Sequence, residues 1–393
     1  MKLSFKIIPV LLALTIASTP QSAFAIDPVT ATSVFDRIAE SATLRDPSVA
    51  LIDVSTGELI YQSKGDSPRK PASLMKLLSA TATVKYLQAD KRYATKVFAT
   101  SESSTAVLQG ELDPWFSLKS KEAKKMHRTS VPALANQLIK VAGSDRKKFT
   151  VLYSGLYSRD IANLNKYLKT QKRTVSWKKV SKADGDASAV QEMYASTSPS
   201  VSKITTWFLT WSDNVLSERM ARQAAKAAGY SFDEYGVADL FSKIVTDMGL
   251  DAKALNIHDA SGLSKQNRVS AKLMAQLLLK IHADPTYAQL IAGLPVSGVS
   301  GTLSKRYIES APDAVGLVKA KTGTLNGTVS LAGYIESGDR EYIFVVIADR
   351  IARGYSASER ARKTLDVYLG KIATPLVVQA DANPVITSGS QTP

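Results

Sequence analysis

The chain has no cysteine among its 393 residues. That excludes disulfides, thiol nucleophiles and cysteine-ligated metal. Histidine is scarce too. His127, His258 and His282 are scattered, with no His-Glu-x-x-His or other metal spacing, so no metal site is expected. His258 adjoins Asp259, and the pair reads as structural. No Gly-x-Ser-x-Gly elbow and no dinucleotide or phosphate loop occurs, which leaves no cofactor to expect. No apolar run after the first 25 residues is long enough to cross a bilayer. Acids are in the minority, 35 against 50 Lys plus Arg, for a net charge of +15.

What is present starts with an export pattern. Lys2 and Lys6 precede an apolar run from Ile7 to Ile16, and Ala23-Phe24-Ala25 is a small-x-small cleavage site. The mature chain is therefore expected to begin at Ile26 and to work in the periplasm or at the cell wall. The basic excess is local: residues 118–182 carry 17 Lys plus Arg and 3 acids. Such a patch attracts polyanions within a Debye length of ~10 Å. Outside the cytoplasm these are wall polymers or lipid headgroups, not nucleic acid.

A mature chain of about 370 residues exceeds one ordinary core, so a large domain with an insertion is expected. The reading is a signal over 1–25, a main domain over 26–100 and 195–373, an inserted basic module over 101–194, and a Pro/Ser/Thr-rich tail over 374–393. Val49–Val54 and Glu58–Gln62 alternate around a Ser55-Thr56-Gly57 turn and read as paired strands. Gly316–Lys321, Thr328–Ile335 and Glu341–Ala348 read as three more. Ser73–Leu87 reads as a buried helix, Thr205–Ala228 as a helix interrupted near Ser212, and Ala271–Ile281 and Ser356–Lys371 as further helices. Within the module only a helix at Val131–Ala142 and a strand at Thr150–Tyr153 are expected, and Ser181–Ser200 reads as a linker.

Three strings carry chemistry. Ser73-Leu74-Met75-Lys76 puts a hydroxyl and an amine on one helix face. Burial and a second cation both lower a lysine pKa from ~10.4, which makes a base of Lys76. Lys321 is read as that second cation. The spacing alone is weak, since it recurs at Ser67/Lys70, Ser144/Lys147, Ser176/Lys179 and Ser200/Lys203. None of those four opens a long apolar helix. Ser212-Asp213-Asn214 interrupts a helix, where Ser212 can relay a proton and Asn214 can hold Lys76 and a substrate amide; taken alone it reads as a cap. Lys321-Thr322-Gly323-Thr324 ends a strand, where a cation can grip a carboxylate and Gly323 lets a substrate backbone approach. The N–H groups of Ser73 and Thr324 are read as an oxyanion hole. The trio in this order belongs to β-lactamases and penicillin-binding proteins.

The chain resembles the low-molecular-mass class C penicillin-binding proteins, the D-alanyl-D-alanine carboxypeptidase/endopeptidase family. Beyond the trio, the likeness includes Asp259-Ala260-Ser261-Gly262-Leu263-Ser264, Gly301-Thr302-Leu303 and Leu331-Ala332-Gly333-Tyr334. The resemblance implies an α/β (α+β) fold of the β-lactamase type: a five-stranded antiparallel sheet flanked by helices, a helical lobe, and a small inserted domain. It implies Ser73 as nucleophile, Lys76 as base, Ser212 and Asn214 as proton-relay and binding groups, and Lys321, Thr322, Gly323 and Thr324 as the substrate-binding strand. Peptidoglycan stem peptides and β-lactams are the implied partners, with anionic wall polymers at residues 118–182. Two departures stand out: the insertion between the first two motifs is short for the family, and Ser217 replaces its usual alanine. A β-lactamase is the first alternative, although Ala252 stands where the deacylating glutamate of one such class precedes Leu255-Asn256. A non-catalytic wall-binding protein is the second.

Overall fold

The computed structural model describes residues 25–373. The expected export signal and tail therefore lie outside the described residues, Ala25 apart. The main domain is built on a five-stranded antiparallel sheet. Its order is Val318–Leu325, Thr328–Ser337, Arg340–Ala348, Ser48–Asp53 and Glu58–Ser63. Side chains alternate faces along a strand. Ile343, Val345 and Ile347 accordingly join one core, and Tyr342, Phe344 and Val346 join the other. The sheet is covered on both sides, which is why its three interior strands are buried along nearly their whole length.

On one face lies the helix Met75–Tyr86, preceded by a 3₁₀ turn at Ala72–Leu74. Every residue from Met75 to Thr83 is buried, Lys76 included. The helix packs against Val201–Trp211 and Asn214–Ala227 of the helical lobe. These two helices are the interrupted stretch expected from sequence. The break is Ser212 at φ 59, a left-handed conformation uncommon for a residue with a Cβ. Asp213 then caps the second helix through the Leu216 N–H at 3.0 Å. Cap and site coexist: Asp213 serves the helix, leaving Ser212 and Asn214 to bond Lys321 and Lys76.

The segment between is more structured than its composition suggests. Thr174–Lys179, Lys148–Ser154, Thr105–Gly110, Ala94–Ala99 and Gln191–Thr197 form a second, mixed sheet in that order. Helices Val131–Ala142 and Ser158–Thr170 cover it, closing a separate apolar core around Leu108, Leu134, Leu138, Val151, Leu164 and Leu168. The linker expected at Ser181–Ser200 is not one: it holds the helix Lys182–Ser188 and the strand Gln191–Thr197. Lysines mask the pattern in this module. Ser158–Thr170 buries only Asp160, Ile161, Leu164 and Leu168, a stripe at helical spacing on a polar helix.

Candidate active site

The three strings converge. Lys76 Nζ lies 3.0 Å from Ser73 Oγ, 2.6 Å from Asn214 Oδ1 and 2.6 Å from the Ser261 carbonyl oxygen. Lys321 Nζ donates to Ser212 Oγ at 2.9 Å and to the Thr322 carbonyl at 2.8 Å. Ser73, Ser212, Thr322 and Thr324 line one cavity of about 470 Å³. Thr302, from the Gly301-Thr302-Leu303 turn, closes it by a 2.8 Å hydroxyl contact with Thr322.

Local backbone fixes the serine. Ala72 has φ 50, again left-handed, and turns the chain so that Ser73 opens the helix. Gly262 (φ +86) lies against this turn, where a Cβ would sit 1.8 Å from the Ala72 carbonyl oxygen. Gly323 has a related role. A Cβ there would meet Ser330 Oγ at 2.1 Å and the Pro71 carbonyl oxygen at 2.8 Å. The missing side chain thus admits the nucleophile's loop and the neighbouring strand, rather than the substrate backbone anticipated from sequence. The strand also runs on through the whole Lys321–Thr324 string to Leu325 instead of stopping at Lys321.

Strand Val318–Leu325 is a sheet edge. The Val318 and Ala320 N–H groups point outward, to Ser297 Oγ and the Pro295 carbonyl. The two-residue period turns the Thr322 and Thr324 N–H groups the same way. Thr324 thereby presents an N–H on the edge facing the cavity.

Electrostatics correct one expectation. Burial lowers the Lys76 pKa to about 8, opposed by the charges of Asp259, Glu218 and Asp213. The second-cation effect runs the other way. Lys321 is buried more completely, and burial followed by the nearby Lys76 holds its pKa well below the usual lysine value.

Several contributors escaped the sequence reading. The Ser261 carbonyl that faces Lys76 sits in a loop held by two carboxylates. Glu218 accepts the Ala260 and Ser261 N–H groups at 2.9 and 2.8 Å. Asp259 accepts from Ser261 and Gly262 N–H and from the Asn267 side chain. The expected His258–Asp259 pair is replaced by this arrangement, and His258 instead gives its backbone N–H to Asn267. Ser217 adds a hydroxyl bond to the Ala260 carbonyl at 2.9 Å, so the departure from alanine braces the same loop. An Asp followed by a Ser-Gly turn was the available signal.

The family model described as D-Ala-D-Ala carboxypeptidase 3 (S13) matches residues 32–144 and 117–372. The chain is 27% identical over 364 residues to the carboxypeptidase DacB of Mycolicibacterium smegmatis, covering 79% of each. Its fold is similar to the crystal structure of penicillin binding protein 4 from Haemophilus influenzae (TM-score 0.67, 15% identity, 86% of this chain and 98% of that one). It is also similar to a penicillin G acylated predatory endopeptidase of Bdellovibrio bacteriovorus (TM-score 0.55, 15% identity, 85% and 94%). With its fold and most of its length matched, the chain belongs to the D-Ala-D-Ala carboxypeptidase 3 (S13) family.

Proposed function

We propose that this chain is an exported serine DD-peptidase that cleaves the terminal D-Ala from peptidoglycan stem peptides through a Ser73 acyl-enzyme. The contact between Lys76 Nζ and Ser73 Oγ carries the reading. A neutral amine has two N–H groups and one lone pair. Asn214 Oδ1 and the Ser261 carbonyl take the two hydrogens, which turns the lone pair toward the Ser73 hydroxyl. Lys76 accepts that proton as Oγ adds to the penultimate D-Ala carbonyl. The oxyanion faces the Ser73 and Thr324 N–H groups, a contribution of ~3–4 kcal/mol per donor in comparable sites. Collapse breaks the C–N bond, and the leaving amine takes a proton relayed through Ser212 from Lys76. Water then adds to the ester, gives its proton to Lys76, and Ser73 leaves with that proton. One peptide bond and one water are consumed.

The same step with a cross-linked stem's amine as leaving group is endopeptidase action. With a β-lactam, the ring amide opens and its nitrogen stays tethered, so the acyl-enzyme persists. Release of D-Ala from a stem pentapeptide tests the reading: wild type releases it, and Ser73→Ala and Lys76→Ala do not. Undiminished release by Ser73→Ala would reject it.

Docking on anionic wall polymers is supported by a concavity of about 810 Å³ at the seam of module and main domain. Arg92, Lys124, His127, Arg128 and Lys203 line it, and no carboxylate among the described residues does. Co-sedimentation with isolated walls should fall steeply as salt rises from 50 to 300 mM, on the order expected of screened charge. Salt-independent retention would dismiss this part.

A further inference from the structure

The substrate of this reading ends in a carboxylate, and Lys321 is poorly placed to meet its charge. Its Nζ is fully buried and directs hydrogens to Ser212 Oγ and the Thr322 carbonyl. Burial and the neighbouring Lys76 also disfavour its ammonium form. A carboxylate resting on the Thr322 and Thr324 hydroxyls therefore needs another cation.

Three other cations line the cavity: Lys305, Arg306 and Arg362. Arg306 is committed to a salt bridge with Asp366, gripped through Nε and Nη2. Lys305 is exposed, on a flexible stem with a strongly hydrated head. Arg362 differs from both. It projects from the last helix, Tyr355–Gly370, and its Nη2 donates to Thr324 Oγ1 at 2.9 Å. Its Nη1 also pairs with a carboxylate, Glu359, which lines the cavity too, but this pair is half-exposed where Arg306–Asp366 is buried, and it engages Nη1 alone, leaving Nη2 on the Thr324 side. A half-buried, oriented guanidinium beside a threonine hydroxyl is the geometry that binds carboxylates in forked fashion.

We propose that Arg362 recognises the terminal carboxylate of the stem peptide, and the equivalent carboxylate of a penicillin, beside Thr322 and Thr324. Arg362 then sets specificity for a free C-terminus, and Lys321 is left to orient Ser212. The inference rests on the acyl-enzyme reading above. It gives the last helix a part in substrate selection, which none of the three sequence strings foreshadows.

The test measures second-order acylation rates with benzylpenicillin and with its methyl ester, which lacks the charge. Wild type should favour the free acid. Arg362→Ala should lose about 10- to 100-fold on the acid and less than about threefold on the ester, the size of one charge-assisted contact. Arg362→Lys should recover part of the acid rate, and Lys305→Ala should keep the preference. An acid rate within about threefold of wild type in Arg362→Ala would overturn the proposal. So would an equal fall for acid and ester, which marks a structural role, or a preference abolished by Lys305→Ala. Absence of any adduct on wild type would instead reject the acyl-enzyme reading itself.

Discussion

Lys76 is the residue on which the chemistry turns, and its titration is measurable. A buried amine with a pKa of about 8 is mostly protonated at pH 6 and mostly neutral at pH 9. Only the neutral form can take the Ser73 proton. The acylation rate should therefore rise with pH, with its midpoint near pH 8 and a plateau from about pH 9, well below the ~10.4 of a free lysine. Stopped-flow or quenched-flow acylation from pH 6 to 9.5 reads this directly. A flat profile, or a rise still continuing beyond pH 9.5, contradicts the assignment. Asp113 offers a second test at this scale. Its carboxyl is buried, bonded to Thr129 Oγ1 at 2.6 Å and the Trp115 N–H at 2.8 Å. Burial pushes its pKa up to about 6. The folded state thus holds this proton more tightly than the unfolded state, so its contribution to stability is present below pH 4 and is lost as pH rises to about 6. Asp113→Asn keeps an acceptor for Trp115 and removes the titration. Its stability relative to wild type should improve by on the order of 2 kcal/mol between pH 4 and pH 7.5. Parallel curves of stability against pH would contradict this.

At the scale of elements, the nucleophile turn depends on two glycines brought to it from elsewhere in the chain. Gly262 combines φ +86 with an approach to the Ala72 carbonyl that leaves no room for a methyl group. Gly262→Ala should destabilise the fold by ~3 kcal/mol or more and slow acylation at least tenfold, since the loop carrying the Ser261 carbonyl must shift. Chemical unfolding paired with acylation kinetics checks both, and wild-type values for both would refute the packing account. These contacts explain what could be read from the sequence. The strand pair Ser48–Asp53 and Glu58–Ser63, the buried helix after Ser73 and the break at Ser212 all carry local signals: alternation, unbroken apolar runs, and cap residues. The Glu218 hold on residues 260 and 261 carries none, because Glu218 lies 42 residues from the Ala260 N–H it accepts, and Asp259 leaves only the local signal of an Asp before a Ser-Gly turn. The module's strands were obscured for another reason. Thr174–Lys179 is largely exposed, so burial never imposes a clean apolar period on it.

For the whole molecule, the question is how a separately cored module is held on the catalytic domain. Arg219 of the helix Asn214–Ala227 reaches across to the module. It pairs with Asp160 at 3.0 Å, donates to the Pro114 carbonyl at 3.0 Å and lies 4.1 Å over the Tyr157 ring. Gln223, one turn on, donates to the Leu112 carbonyl at 3.1 Å. Both members of the ion pair are buried, so deleting one strands the other. Arg219→Ala should cost ~3–5 kcal/mol and make the segment near residues 112–116 the first site of proteolysis. Arg219→Met, paired with Asp160→Leu, should recover much of that loss, and a double variant no more stable than the single one would argue against a packed seam. Above these details stands one claim: the Ser73 hydroxyl, deprotonated by Lys76, is the acyl acceptor. Peptide mapping by mass spectrometry after benzylpenicillin treatment tests it most directly. A single penicilloyl group on the peptide containing Ser73, missing from Ser73→Ala and slow to form in Lys76→Ala, is the predicted result. An unmodified chain, or a label on any other serine, would contradict it.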